Sequence, residues 1–516
     1  MNRFVRNFEA LDATEPYDVC IAGAGIAGTV LGIRLVRAGL RVLLIDSAPS
    51  ASRDDALWRL AHETAGKAGH RLAPLPRRIG GGSHYWEGVC ERLDPGDFRV
   101  HPYNRRSNPW PIGYAELEPH YRAAEQLFRV RQAPAAPGRR LPQSAPEQSD
   151  PAFAALLRRH GIDAKGAARA TPGRGRRKFT VSAELLPEFV SSRTGTLASG
   201  ITVTRFRADA NGRVIGAVCR TADGTSKTAR AITYVVAAGA LETPRLLLMS
   251  RSQRFPRGIG NDHDRVGRGF TDQAVIRAHG RIERLGRRPR GSAPLHTEQF
   301  HQMFRRDGLG AVHPFFERIG TLAEASRIGR AGWRECLADA AQRREPVSLT
   351  CRIETMPADE NRVTLSAASL DAFGDPCARL LFDYSAEDLE LIGRTRTWLD
   401  RWLERLGATG RSQDEIEWAG SLAGTCRMGA DPRTSVCDSM LRVHSSPNLY
   451  VCGAETLPRG GAVPPALTVA ALAHRLAEHI TARARWCARA TPKPTRTPAP
   501  TTIAAPIPLV RRRPQP

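Results

Sequence analysis

Lysine is nearly missing from this chain. Only five of its 76 basic residues are lysine (Lys67, Lys165, Lys178, Lys227 and Lys493), so the net charge of +24 over 516 residues is an arginine charge. The arginines are spread along the whole length, with one dense cluster from Arg174 to Lys178 that reads as a basic loop. No recognised nucleic-acid module accompanies the charge, so arginines on solvated faces are expected and no nucleic-acid partner. An acidic or phosphorylated substrate stays compatible with it. No run of eighteen apolar residues occurs, so no membrane span is expected. Met1 to Thr14 carries charges throughout and has no apolar core, which speaks against a secretory signal and for a cytoplasmic location. The ten cysteines form no C-x-x-C pair and no Cys/His spacing that suits zinc, so no metal site is expected. Cys20, Cys219 and Cys452 lie in apolar runs and read as free core thiols.

What is present starts near the beginning. Tyr17 to Ala22 is apolar and runs into Gly23-Ala24-Gly25-Ile26-Ala27-Gly28. A helical run from Thr29 to Ala38 ends at Gly39, and a second strand, Val42 to Ile45, delivers Asp46. This is a β-α-β unit with a dinucleotide fingerprint in its first turn. Gly23 permits the tight turn, Gly25 lets backbone approach a pyrophosphate, and Gly28 lets helix pack on strand. The helix start offers free N–H groups to phosphate, and Asp46 stands where an acid holds ribose hydroxyls.

Further on, a polar, partly helical stretch is expected up to about Arg71. Gly80-Gly81-Gly82-Ser83-His84-Tyr85-Trp86-Glu87-Gly88 implies backbone pressed against a flat partner. An amphipathic helix is expected from Tyr114 to Phe128. Residues 132–149 read as a loop or lid, Asp150-Pro151 as a helix start, 165–178 as a basic loop, and Val181 to Ser191 as helical. Ile201 to Phe206 and Val214 to Arg220 read as strands joined at Asn211-Gly212, with another turn at Asp223-Gly224. They lead to a buried strand, Ile232 to Val236, and to Gly239-Ala240-Leu241-Glu242-Thr243-Pro244, a turn and a helix with proline near its start. Val347 to Glu354 and Arg362 to Leu365 read as strands, Ala386 to Leu406 and Ala466 to Ile480 as helices. From about Ala482 the composition turns to Pro, Thr, Ala and Arg and reads as a disordered tail.

Four stretches, Gly23–Gly28, Gly80–Gly88, Gly239–Ser250 and Gly424–Thr468, stand in the order and spacing of one family. Together the sequence resembles the glucose–methanol–choline (GMC) flavin oxidoreductases, especially the branch of bacterial sugar and sugar-acid dehydrogenases. Gly239 to Ser250 is similar to the family's second signature except that Arg251 replaces its closing glycine. Gly424-Thr425-Cys426-Arg427-Met428-Gly429 and Asn448 to Ala454 are similar to its C-terminal block. The resemblance implies an α/β fold: a Rossmann-like FAD-binding domain assembled from separated segments (15–130, 196–275 and 420–481). A mixed α/β substrate domain with an antiparallel sheet and lid loops would occupy 131–195 and 276–419, with the tail at 482–516. It implies FAD held by Gly23, Gly25, Gly28, Asp46, Gly81, Gly82, Ser83, Trp86, Gly88, Ala238, Gly239, Gly453, Ala454, Leu467 and Thr468. Some relatives tie flavin covalently to a histidine of the glycine loop. Here that register falls on Tyr85, one residue past His84, so non-covalent FAD is expected.

The resemblance also implies oxidation of a CH–OH group of a sugar, alcohol or specialised metabolite, with hydride passing to flavin N5 and a histidine taking the hydroxyl proton. The histidine position is Ser421 here, and the second catalytic position is Pro464. A serine hydroxyl is too weak a base at neutral pH, and proline offers no side-chain donor or base. His296, His301 and His313 are therefore candidate bases, with His313 placed beside Ser421 as a catalytic candidate. A desaturase, an amine oxidase or a flavoprotein without turnover stays open at this point. Expected partners are a small-molecule substrate and an electron acceptor, whether oxygen, a quinone or a protein carrier.

Overall fold

A computed structural model describes residues 11, 15–48, 62–66, 77–99, 109–131, 149–176, 178–289, 292–319 and 343–490. The loop expected at 132–149 lies outside them except for its last residue, as does the tail beyond Ala490.

Two sheets organise the chain. The first is parallel throughout, in the order Leu449–Val451, Ala231–Val236, Tyr17–Ala22, Val42–Asp46, Gly195–Ser199. Its strands read Val/Ile/Leu-rich because both faces are covered. On one face Val30, Leu31 and Ile33 of the helix Ile26–Arg37 pack with Leu467 and Leu472 of the helix Ala466–Ala490. On the other, Phe206 and Val214 of an antiparallel meander meet Tyr234 and Leu247. The strands of this sheet thus come from three widely separated parts of the chain, 17–46, 195–236 and 449–451.

The second sheet is antiparallel, in the order Thr409–Gln413, Ala274–Glu283, Arg344–Ile353, Val312–Arg318, Leu295–His296, Lys165–Gly166. One of its faces carries Ile276, Val312, Leu349, Cys351 and Ile353, which pack against the helices Ala386–Arg405 and Pro151–Arg159. The first of these helices starts at a capping box of Ser385 and Asp388, the second at Asp150, whose side chain accepts from the Phe153 amide. Side chains alternate along a strand, so His313 and Phe315 stand on the opposite face, in register with Arg352 and Thr350. His296, paired with Phe315, and Lys165, paired with His296, continue that row.

Four local expectations need correction. The stretch before Arg71 contains a strand, His62–Ala65, which pairs in parallel with Pro376–Leu381 from over three hundred residues away. The basic loop at 165–178 gives up Lys165–Gly166 to the antiparallel sheet. Pro244 lies inside the helix Gly239–Met249, not at its start. It lacks an N–H for the carbonyl four residues earlier, and the Thr425 hydroxyl donates to that Ala240 carbonyl instead, at 2.9 Å. Finally, the last helix runs to Ala490 before any tail begins, because Thr481 to Ala490 is rich in alanine and arginine and free of proline.

One buried group makes the fold acid-sensitive. His474 is 2% exposed, and neither ring nitrogen has a hydrogen-bond partner among the described residues. Burial, aided by Arg34, His120 and Arg37, pushes its pKa down to about 3. Below about pH 6.5 the unfolded chain therefore takes up a proton that the folded chain refuses. His474→Leu should gain stability relative to the parent by about 1.4 kcal/mol on going from pH 8 to pH 5.5. Urea melts at both pH values test this, and an unchanged difference between the two proteins would refute it.

Candidate active site

The glycine turn is built against the other nucleotide segments. Gly23 has φ +110°, and a Cβ there would stand 2.3 Å from the Ala237 carbonyl oxygen. A Cβ on Gly28 would meet the Gly23 carbonyl oxygen at 1.9 Å. Gly25 differs: it is in extended backbone, caps the helix without a side chain, and a Cβ there would meet nothing within 4 Å. The helix start is left without a side-chain cap and with free space beside Gly25, as a pyrophosphate cradle requires. The Gly80 amide donates to the Ala24 carbonyl at 2.9 Å, which lays the glycine loop over this turn. Gly81 approaches Gly25, and Gly82 has open space around it. Asp46 is fixed by the amides of Ala24 (2.7 Å) and Ala48 (2.9 Å), and burial pushes its pKa up.

Ala238 caps the helix starting at Gly239, again with no side-chain partner. Gly453 and Ala454 begin a short turn whose Glu455 is wholly buried. Thr243 donates to one Glu455 oxygen at 2.9 Å, and the other has no partner among the described residues. Burial lifts this carboxyl to about 7. Leu467 is fully buried, and the Thr468 hydroxyl lies 2.8 Å from that of Tyr121. Ser83 donates to the Gly80 carbonyl and accepts from the Val181 amide, so it braces the loop. Trp86 donates its indole N–H to the Phe179 carbonyl and packs edge-on against Phe128 and Phe179. Gly88, at φ +78°, lets the loop turn away and accepts from the Ala170 amide. Uncapped helix starts, glycines with open space and an orphaned buried carboxyl suit an extended dinucleotide such as FAD.

Ser421 and Pro464 stand where this cradle meets the antiparallel sheet. The amides of Ser421 and Gly420 donate to the Asp272 carboxylate at 2.7 and 3.1 Å. The Ser421 hydroxyl makes no hydrogen bond among the described residues. The next residue, Gln273, donates to the carbonyls of Gly461 (2.9 Å) and Val463 (2.6 Å), just ahead of Pro464, and accepts from Arg352 at 3.2 Å. Arg352 also stands 3.6 Å from Glu87 of the glycine loop. The histidine-bearing face of the sheet is thus turned towards that loop. Burial lifts Asp272 to about 7 against the pull of its three amide donors and of Arg352.

The three candidate histidines do come together. His313 Nε2 lies 3.1 Å from His296 Nδ1, and the His301 and His313 rings are 6.1 Å apart. Their states differ. Burial, reinforced by His296, His301 and Arg352, holds His313 well below its ordinary pKa, and burial takes His296 down to about 3. Both are neutral imidazoles. His301 resists burial because Asp97, 3.2 Å away, raises it. Asp272, Gln273 and Arg352 escaped the sequence reading. The only signal was the run Gly267-Arg268-Gly269-Phe270-Thr271-Asp272-Gln273 within the family-like part of the chain.

Comparison with known proteins fits this arrangement. Two family models described as GMC oxidoreductase match residues 17–275 and 357–473. Paromamine 6'-oxidase of Streptomyces fradiae is 30% identical over 92% of this chain and 93% of its own length. The fructose dehydrogenase large subunit of Gluconobacter japonicus is 26% identical over 90% of this chain and 95% of its own. Among solved structures, pyridoxine 4-oxidase superposes with a TM-score of 0.63 at 21% identity, covering 90% of this chain and 99% of its own.

The two glycines make opposite predictions. Gly25→Ala should leave the melting temperature nearly unchanged and weaken FAD retention about tenfold or more, because only a phosphate needs that space. Gly28→Ala should fail to fold stably. Flavin content after gel filtration and thermal melts measure both, and full flavin retention by Gly25→Ala would place the phosphates elsewhere.

Proposed function

From the premise that the chain belongs to the GMC oxidoreductase family and is an FAD-dependent enzyme acting on CH–OH donors, we propose that its donor is a hydroxyl of a sugar-like molecule of the kind paromamine represents. The observation that carries this is the 30% identity, across nearly the whole chain, to paromamine 6'-oxidase, joined by equal identity to the 6'''-hydroxyparomomycin C oxidase of Streptomyces lividus. The relatives' names give no support to a desaturase or an amine oxidase.

Bound FAD supplies the hydride acceptor. The chain's own residues supply the rest. His313 is assigned as the base, because a neutral imidazole can take a hydroxyl proton and neither Ser421 nor Pro464 can. Its Nδ1 is buried without a hydrogen-bond partner among the described residues, so no protein donor claims its lone pair. Arg352, its cross-strand neighbour, faces the same cleft and favours negative charge developing on the donor oxygen. Gln273 fixes the loop before Pro464, and Asp272 fixes Ser421, whose small side chain leaves room for the donor carbon. The helix from Ala466 starts just after the loop that Gln273 holds, and its amide end favours anionic charge placed there. The flavin is assigned as non-covalent: His84 Nε2 lies 2.8 Å from the Ile79 carbonyl and 3.2 Å from the Ser182 hydroxyl, which leaves that nitrogen engaged within the protein. Residues 15–130, 196–275 and 420–481 are assigned to the FAD domain. A cytoplasmic location is in keeping with the eight described cysteines, all free and buried.

Anaerobic mixing of the FAD-loaded protein with paromamine, neutral hexoses and simple polyols should bleach the flavin, fastest with paromamine. Bleaching by none of them would sink the donor assignment. With the best donor, Ser421→Ala should change the rate less than about threefold, and His313→Ala should lower it about 100-fold or more. The reverse pattern would move the base to Ser421. Denaturation should leave the yellow colour in the supernatant, and colour in the precipitate would mean a covalent flavin.

A further inference from the structure

Oxidising a CH–OH group breaks an O–H bond and a C–H bond. The C–H electron pair leaves as hydride to the flavin, a C=O bond forms, and the O–H proton has to reach water. His313 is 1% exposed and cannot release a proton directly. Its surroundings offer a way out. The Nδ1 end of the ring has no hydrogen-bond partner among the described residues, and the Nε2 end lies 3.1 Å from His296 Nδ1. His296 Nε2 in turn lies 3.2 Å from Glu91 Oε1. That last contact is short but off the line of an ideal hydrogen bond, since Nε2 has no aligned acceptor. Glu91 Oε1 is held by the Ala168 amide at 2.7 Å.

We infer that His313, His296 and Glu91 form a proton exit, running from the donor hydroxyl through two imidazoles to a carboxylate at the far edge of the antiparallel sheet. The inference rests on His313 being the base. One placement of the protons lets these contacts carry a proton outwards. In the resting chain His313 carries its proton on Nε2 and donates to His296 Nδ1, and His296 carries its own on Nε2, facing Glu91. The donor's O–H proton binds His313 Nδ1. The Nε2 proton of His313 moves to His296 Nδ1, and the Nε2 proton of His296 moves to Glu91, leaving a neutral carboxyl. One proton enters and one arrives at Glu91. Turning about Cβ–Cγ would carry each proton along with its nitrogen, so the starting tautomers return by water-mediated proton exchange, each ring giving up its Nδ1 proton and taking one at Nε2 before the next turnover.

The outer end lies near water. Glu91 is 4% exposed, close to the ion pair of Lys165 with Glu298 (3.0 Å), whose side chains are 30% and 55% exposed. Glu298 also lines an open cavity of about 740 Å³. Burial holds Glu91 near 7, so it can take a proton and give it up at neutral pH. The charges facing the relay are Arg352 beside His313, Lys165 beside His296, Glu125 and Glu298 near Glu91, and His301 with its partner Asp97.

The test uses full-length, FAD-loaded protein and the best donor, with single-turnover bleaching followed from pH 5 to 9. The parent rate should rise with pH to a plateau, with a midpoint near the Glu91 value of about 7. Glu91→Gln should lose that rise and fall about tenfold or more below the parent plateau, with flavin content and melting temperature as folding controls. A parent-like profile within about twofold would overturn the relay. Nitrogen-15 NMR of histidine-labelled parent protein needs neither a donor nor a variant. It should show His313 and His296 neutral, each bare at Nδ1 and protonated at Nε2. Either ring in the opposite tautomer, or charged at pH 7, would overturn the relay even if no donor is found.

Discussion

The cleft depends on one buried ion pair. Arg459 grips Glu354 through Nε and Nη2 at 3.0 and 2.7 Å, with both side chains almost wholly buried. Glu354 follows a strand of the antiparallel sheet, and Arg459 sits in the loop that runs to Pro464. The same carboxylate accepts from the amides of Ala311 and Gly461. A pair removed from water contributes little net stability, and its worth is geometric. It brings the loop at 458–463 against the antiparallel sheet, where Gln273 can hold the carbonyls of Gly461 and Val463. If the pair were apolar, the two layers could slide, and the spacing between the His313–Arg352 row and the glycine loop would no longer be set.

A second set of contacts locks the cofactor layer. Pro244 frees the Ala240 carbonyl, Thr425 takes it, and Thr243 in the same helix reaches Glu455. The helix Gly239–Met249 is thereby tied to two segments about 180 and 210 residues further along the chain. These contacts are independent of the residues that would move a proton. The contacts that join these segments therefore do not depend on what stands at Ser421 and Pro464, and the assignment proposed above gives the proton task to the neighbouring sheet.

The nucleotide half was legible because it is local. The β-α-β unit, its glycines and Asp46 lie within thirty residues, and their periods of two and 3.6 need no partner to be read. The family match extended this to the scattered segments. What stayed hidden depends on register between distant strands. His313 faces the cleft only because it pairs with Arg352, and His62–Ala65 is a strand only because Pro376–Leu381 lies beside it. The helix containing Pro244 was misplaced by one turn because the residue that satisfies the freed carbonyl is far away. Asp272 and Gln273 carried no pattern of their own, since their partners are backbone groups that any residue provides.

The strand order also has a consequence for synthesis. Leu449–Val451 is the edge neighbour of Ala231–Val236, and the helix Ala466–Ala490 covers Ile26–Arg37. A ribosome adding about 5–20 residues per second leaves the first β-α-β unit waiting roughly 20 to 90 s for these last pieces. During that time one side of the helix Ile26–Arg37 and one edge of the parallel sheet stay uncovered. The apolar surface of the first unit is therefore covered only when the last fifth of the chain has been made.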